Sequence, residues 1–324
     1  IDAAADNATI TLDSNTEIAA TLQITKNLTL DLNGCTLRMT GTGSVLKVSG
    51  RATLTITDSS AAKSGTITGG NAEYGGGVYV DDYATLKMTG GCITGCHASR
   101  GGGGIYSSGN LYMGGTAKIE KCTGSDDAIW NREKSDIYAD GGTVDGTVNN
   151  QGTIKRSEGA AAVTVFNGTV YNRSAGKIEA GIYGIYNGTV ENNGTITGGT
   201  FYGAVMIRKG SLSWVSTGSI SGGTFYGSIV NEAGPEQVTG GTFAVTFDRG
   251  DGTKTEPTPV KYNDLVPKPA DPTKSGYTFI GWEDADGAYD FSKSVTAPLT
   301  LTAKWEEVPS SGGYYYYQPT TDTK

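Results

Sequence analysis

The stretch "GTITGGTFYG", Gly194–Gly203, returns almost unchanged as "GSISGGTFYG", Gly218–Gly227, 24 residues later, and a shortened "TGGTF" closes the series at Thr239–Phe243. Alternating small and β-branched residues with glycine at fixed offsets are strand and turn chemistry, and a fixed period makes each copy one unit of a stacked array. A related family lies upstream. "GTITGG" (Gly65–Gly70), "GCITGC" (Gly91–Cys96) and "AKIEKC" (Ala117–Cys122) place Ile67, Ile93 and Ile119 at intervals of 26 residues. Between them, "GGGVY" ending at Tyr79, "GGGIY" ending at Tyr106 and "DDAIW" ending at Trp130 form a second track, and "TLKM" ending at Met88 with "NLYM" ending at Met113 a third. Tracks that repeat together describe one coil carrying about three short strands.

The expected fold is therefore all-β, with a right-handed parallel β-helix over residues 1–243. Equivalent residues of successive coils stack about 4.8 Å apart, so coils of roughly 20 to 26 residues give about ten coils and a rod near ~50 Å long. Ile and Val ladders fill its interior. Cys96 and Cys122 fall on one ladder position in neighbouring coils, at a spacing within disulfide range, which predicts a structural disulfide or a stacked thiol pair. Cys35 and Cys92 find no aligned partner. Tyr79, Tyr106 and Trp130 align across three coils and Tyr202 and Tyr226 across two more, with Tyr183 and Tyr186 nearby. Facing outward, these rings would form a binding platform; facing inward, a ladder of the core.

The 324 residues suit two domains. Fifty glycines with no G-X-Y period exclude collagen, and the Thr, Ile and Val alternation argues for ordered strands. A net charge of −8 excludes a nucleic-acid or anionic-membrane partner of the usual basic kind. No apolar run is long enough to span a bilayer. The chain opens at Ile1 without a charged, apolar leader, as a processed chain would.

Residues 1–64 read as successive strands, "ATITL" through "ATLTITD", with turns at Asn33-Gly34, Ser49-Gly50 and Asp58-Ser59. "SDDAIWNREKSDIYADGG", which includes Asp126, Asp127, Arg132, Glu133 and Asp136, breaks the pattern and reads as a polar excursion from one coil. "NGTVYN" at Asn167 and "NGTVEN" at Asn187 then resume it at a spacing of 20 residues.

Near Ala244 prolines at 257, 259, 267, 269 and 272 replace the glycine ladders. From Val245 to Trp305, "VTF", "GYTFIGW", "YDF" and "LTLTAKW" occur in order, and this segment closely resembles the Listeria–Bacteroides repeat, also called the internalin B-repeat. "DRGDGT" departs from that family's usual Asn-Gly-Gly turn. The resemblance implies a small β-grasp-like module over residues 244–306, found as a spacer in bacterial surface proteins. Read from the residues alone, Tyr277, Phe279, Trp282, Phe291, Leu301 and Trp305 would share one aromatic core. Residues 307–324, rich in Ser, Gly, Pro and Thr, read as a disordered linker or stalk leading toward a wall anchor or S-layer module. The solenoid resembles glycine-rich surface-protein members of the pectate-lyase-like superfamily, whose enzymes cleave acidic polysaccharides using calcium and an Arg base, or clustered Asp acids.

That chemistry needs carboxylates converging from neighbouring coils. The adjacent pairs Asp81-Asp82 and Asp126-Asp127 lie in turns and project to opposite faces, so they read as solvated turn acids. Arg100, Arg132 and Arg173 accompany no carboxylate ladder. His97, the only histidine, reads as an exposed turn residue, and "GGGG" at 101–104 lacks the Lys-Ser/Thr of a phosphate loop. No catalytic residue, metal set or cofactor is expected. The expected function is that of a secreted, monomeric, non-enzymatic adhesin on a Gram-positive bacterial surface, binding a host or environmental glycan or glycoprotein, immunoglobulin among the protein ligands. A polysaccharide lyase or glycoside hydrolase, and a purely structural display rod, are the alternatives.

Overall fold

The computed structural model describes residues 1, 3–123, 128–132, 136–145, 148–150, 153–156, 163–166, 169–172, 177–178, 182–186, 189–192, 194–207 and 218–309. Asp126, Asp127, Glu133, Arg173 and most of the 307–324 tail lie outside them, as do the side chains of Asp136, Tyr183 and Tyr186. Every regular element but one is a strand; a 3-10 turn at Pro235–Gln237 is the only helical element among the described residues.

The chain is laid down as parallel strands that meet their neighbours one coil later. One ten-stranded sheet runs from Leu22–Ile24 through Leu46–Val48, Val78–Val80, Ile105–Ser107 and Ile129–Asn131 to Ile229–Asn231. A second track pairs Ala8–Thr11, Leu28–Asp31, Thr53–Thr57, Thr85–Met88 and the start of Asn110–Glu120. A third pairs Thr16–Ile18, Thr36–Met39, Thr66–Thr68, Cys92–Thr94 and the end of Asn110–Glu120. The repeat alignment is reproduced in the register: Ile67 faces Ile93, Ile93 faces Ile119, Met88 faces Met113 and Ile196 faces Ile220. Coil length varies more than the repeats imply. Val190 pairs with Val205, 15 residues on, whereas Leu46 pairs with Val78, 32 residues on, because the longer coil carries an extra excursion.

Alternation along each strand sends Leu, Ile and Val inward and Thr or Lys outward, and the inward ladders Leu28–Leu54 and Leu46–Val78–Ile105–Ile129 are almost wholly buried. Each such side chain contributes about 1.5–3 kcal/mol of burial. In "GGTFYG" the Phe turns inward: Phe201, Phe225 and Phe243 are fully buried, with Phe201 and Phe225 stacked at 5.0 Å. One interior column is polar. Asn131, Asn150, Asn172 and Asn192 are fully buried on successive strands, and each amide of the first three donates from Nδ2 to Oδ1 of the next at 2.8 Å. Asn192 Nδ2 ends the chain on the Ser219 carbonyl at 3.0 Å. Because each amide both donates and accepts, the column buries polar groups without leaving them unsatisfied.

The coil stack continues into the C-terminal module through a single strand. Thr242–Asp248 pairs in parallel with Thr224–Phe225 on one side, while its own residues pair with Thr258–Lys261 (antiparallel) and Leu299–Glu307 (parallel). The change of sequence character near Ala244 thus falls inside one strand. In the module, Phe247, Trp282 and Leu301 are buried, and Phe279, Phe291 and Trp305 pack against them. Tyr277, expected in this core, is 39% exposed. It stands opposite Glu307 at the end of the sheet, under Lys274, and a bulge between Phe279 and Gly281 brings Phe279 and Trp282 to the same side instead.

Candidate functional site

The outward column of the ten-stranded sheet reads Gln23, Lys47, Tyr79, Tyr106 and Trp130. The aromatic track therefore points away from the coil interior, but it is not an open platform. Parallel strands Asn71–Tyr74 and His97–Gly101 form a separate two-stranded ribbon over it. Tyr79 stacks on Tyr106 at 5.0 Å and 24°, Tyr106 meets Trp130 edge-on at 6.1 Å, and Tyr74 of the ribbon lies 4.8 Å from Tyr106. Gly101 makes the contact possible: a Cβ there would stand 1.7 Å from the Trp130 ring. Tyr106 is left 6% exposed. The track is neither of the two expected arrangements, because the longer coils fold their excess chain over an outward face and build a second small core outside the coil.

Beside this core opens a groove of 540 Å³, lined by Gln23, Ser44, Lys47, Asn71, Glu73, Tyr74 and Tyr79 among others. Its walls come from three successive coils and from the ribbon. The Lys47 ammonium lies 5.1 Å over the Tyr79 ring and 4.0 Å from Asp81. Burial, with Tyr106 and Asp81 nearby, pushes the Tyr79 hydroxyl up from its ordinary range. At the rim Arg100 pairs with Glu73 at 2.9 Å and also bonds Tyr74, which raises its already high basicity. Hydroxyls, amides, one base and one acid around tyrosine edges make a surface rich in donors and acceptors, suited to a polyhydroxylated ligand. Of these residues only Tyr79 stands out in the sequence. Glu73 and Tyr74 sit in "NAEYGGG" with no repeat partner to draw the eye, and Gln23 and Lys47 read as ordinary solvent-face residues.

Tyr202 and Tyr226 face outward, 36% and 39% exposed, and stack on each other at 4.7 Å and 8°. Such a stack spends ring faces on itself and presents edges and hydroxyls. Tyr183 lies on a strand of the same sheet, facing Thr200.

The disulfide expected between Cys96 and Cys122 is not formed, and all four cysteines are free thiols. The bridge between His97 and Thr123 puts Cys96 and Cys122 in register as the stacked pair. Each thiol turns toward a carbonyl of the preceding coil, Cys96 to Ile67 at 3.9 Å and Cys122 to Ile93 at 3.6 Å, which directs the sulfurs along the ladder. Their mutual hydrogen bond lowers the Cys96 thiol and raises that of Cys122, while burial, helped by Glu120, pushes Cys92 up to about 11. Desolvation makes the Cys92 thiol a poor nucleophile at neutral pH. His97 begins a strand rather than a turn, its Nδ1 3.1 Å from Thr123 Oγ1.

The buried acids serve turns. Asp58 accepts from the backbone N–H groups of Gly34 (2.8 Å), Ser60 (3.1 Å) and Gly65 (2.6 Å), and Asp31 from those of Asn33 and Ser59. Among the described residues no cluster of three His, Cys, Asp or Glu side chains could hold a metal ion.

Residues 243–304 match the Listeria-Bacteroides repeat domain. This module is found in bacterial surface proteins, and the match suggests that location here. No curated protein and no solved structure matches the chain.

Proposed function

We propose that the protein is a secreted bacterial cell-surface adhesin whose residues 1–243 form a right-handed parallel β-helix recognising a host or environmental glycan or glycoprotein. Residues 244–306 act as a β-grasp-like spacer and 307–324 as a linker. Coil-by-coil parallel pairing and the buried asparagine column support the β-helix, since a polar ladder of this kind needs identical residues stacked in register. The observation that carries the binding role is the 540 Å³ groove, where hydroxyl, amide and charged side chains from three coils converge around Tyr74 and Tyr79. Its lining holds a single carboxylate, Glu73, engaged by Arg100, whereas hydrolysis of a glycosidic bond calls for two carboxylates flanking it.

The test is a glycan and glycoprotein array, immunoglobulin included, run beside a reducing-sugar release assay. Saturable binding without release is the expected result. Release would move the assignment to a lyase or hydrolase, and silence in both assays would leave a display rod and overturn the adhesin.

A further inference from the structure

Tyr83 is 80% exposed, the highest value among the exposed large hydrophobic side chains described. It sits in the turn Asp81–Ala84, closed by Ala84 N–H donating to Asp81 O at 3.1 Å, and its φ is +65°. A positive φ at the third residue of such a turn is a place for Gly or Asn, because a Cβ there crowds the following carbonyl. The chain keeps a bulky aromatic where its backbone disfavours one and where burial gives nothing in return. Strain of this sort, without a packing reason, is a signature of function.

Other outward rings among the described residues are more engaged: Tyr79 lies between Lys47 and Tyr106, Tyr106 is buried, and Tyr202 and Tyr226 each give one face to the other. Tyr83 has one ring neighbour, the Arg51 guanidinium, 5.9 Å from its centroid. Beside it the next coil places Gly109, where a Cβ would come within 2.2 Å of the Ala84 carbonyl. One aromatic face is thus open to solvent. The turn also adjoins the groove, because Asp81 pairs with the groove residue Lys47. The Asp82 carboxylate makes no hydrogen bond or ion pair among the described residues.

Building on the glycan reading above, we infer that Tyr83 is the stacking residue for a neutral hexopyranose, with Asp82 accepting hydrogen bonds from ring hydroxyls. A bare ring face takes the C–H face of a sugar, and the Asp82 carboxylate beside it disfavours a uronic or sialic acid at that position. The experiment uses the full chain, as wild type, Tyr83→Asn, Tyr83→Phe and Asp82→Asn, on an array of neutral and acidic oligosaccharides followed by calorimetry on the bound compounds. Tyr83→Asn should lose about tenfold in affinity for a neutral glycan, the worth of an aromatic stack. The same change should raise the melting temperature by relieving the turn, so loss of binding cannot be a folding defect. Tyr83→Phe should keep the affinity, and Asp82→Asn should weaken it several-fold. Neutral glycan binding that survives Tyr83→Asn unchanged overturns the inference and leaves the glycan reading standing. Binding confined to acidic glycans overturns the ligand class, and a wild type that binds no glycan overturns both.

Discussion

The two aromatic ladders of the coil stack begin from the same pattern, a ring on the solvent side of successive coils, three in one and two in the other, and end in different environments. Tyr79, Tyr106 and Trp130 lie beneath the Asn71–Tyr74 and His97–Gly101 ribbon, with Tyr106 almost wholly buried. Tyr202 and Tyr226 stack on each other at 4.7 Å and remain more than a third exposed. The difference lies in the ribbon: the coils that carry Asn71–Tyr74 and His97–Gly101 fold that chain over an outward face, and no such ribbon lies over Tyr202 and Tyr226 among the described residues. An aromatic track in a repeat therefore states which residues share a column, and the excursions decide whether that column is core or surface.

The contrast can be broken by truncation. Tyr106→Ala should destabilise the early coils by about 3–5 kcal/mol, as expected for emptying a buried aromatic site, read as a lower urea midpoint. If it costs no more than an exposed ring, the ribbon is not a cover. An intermediate effect belongs to the acid turns that hold the same early coils. Burial pushes the Asp58 carboxyl up, but the hydrogen bonds from Gly65, Ser60 and Gly34 outweigh it, and its pKa is lowered; Asp31 behaves alike. A depressed folded pKa gives stability that is present above the ordinary carboxylate range and lost as pH falls through the folded value, so the early coils should weaken below about pH 4. Asp58→Asn should cost about 2 kcal/mol at pH 7 and flatten that acid limb in denaturation followed against pH. The smallest effect is expected at Tyr226→Ala, about 1 kcal/mol or less for loss of one exposed stack. A cost matching that of Tyr106→Ala would show that the bare ladder is a core after all.

Much of the architecture was legible before any coordinates. The isoleucine, methionine and phenylalanine registers follow directly from repeat spacing, because a coil that restarts in phase must stack like on like. The C-terminal module was legible from its ordered motifs. The asparagine column was less so. Asn150, Asn172 and Asn192 each follow a Val by two residues, a signal present in "VNN", "VYN" and "VEN", yet asparagine in a Thr- and Gly-rich stretch reads first as turn chemistry. Tyr277 was misplaced because alternation gives the face it shares with Phe279 but not its place opposite Glu307 at the end of the sheet, where it stays exposed. The groove was hardest to see, since Gln23, Lys47, Glu73 and Tyr74 come from different coils and share no motif.

The sequence by itself determined the repeat, the strand content, the columns and the C-terminal repeat module, since these depend on period and local propensity. Only the tertiary structure decided which faces are covered, that two aligned cysteines stack as thiols, that one strand joins the coils to the module, and that a single tyrosine stands bare on a strained turn. Those outcomes depend on where non-repeating chain folds in space, and a segment that breaks the period carries no record in the period of where it goes.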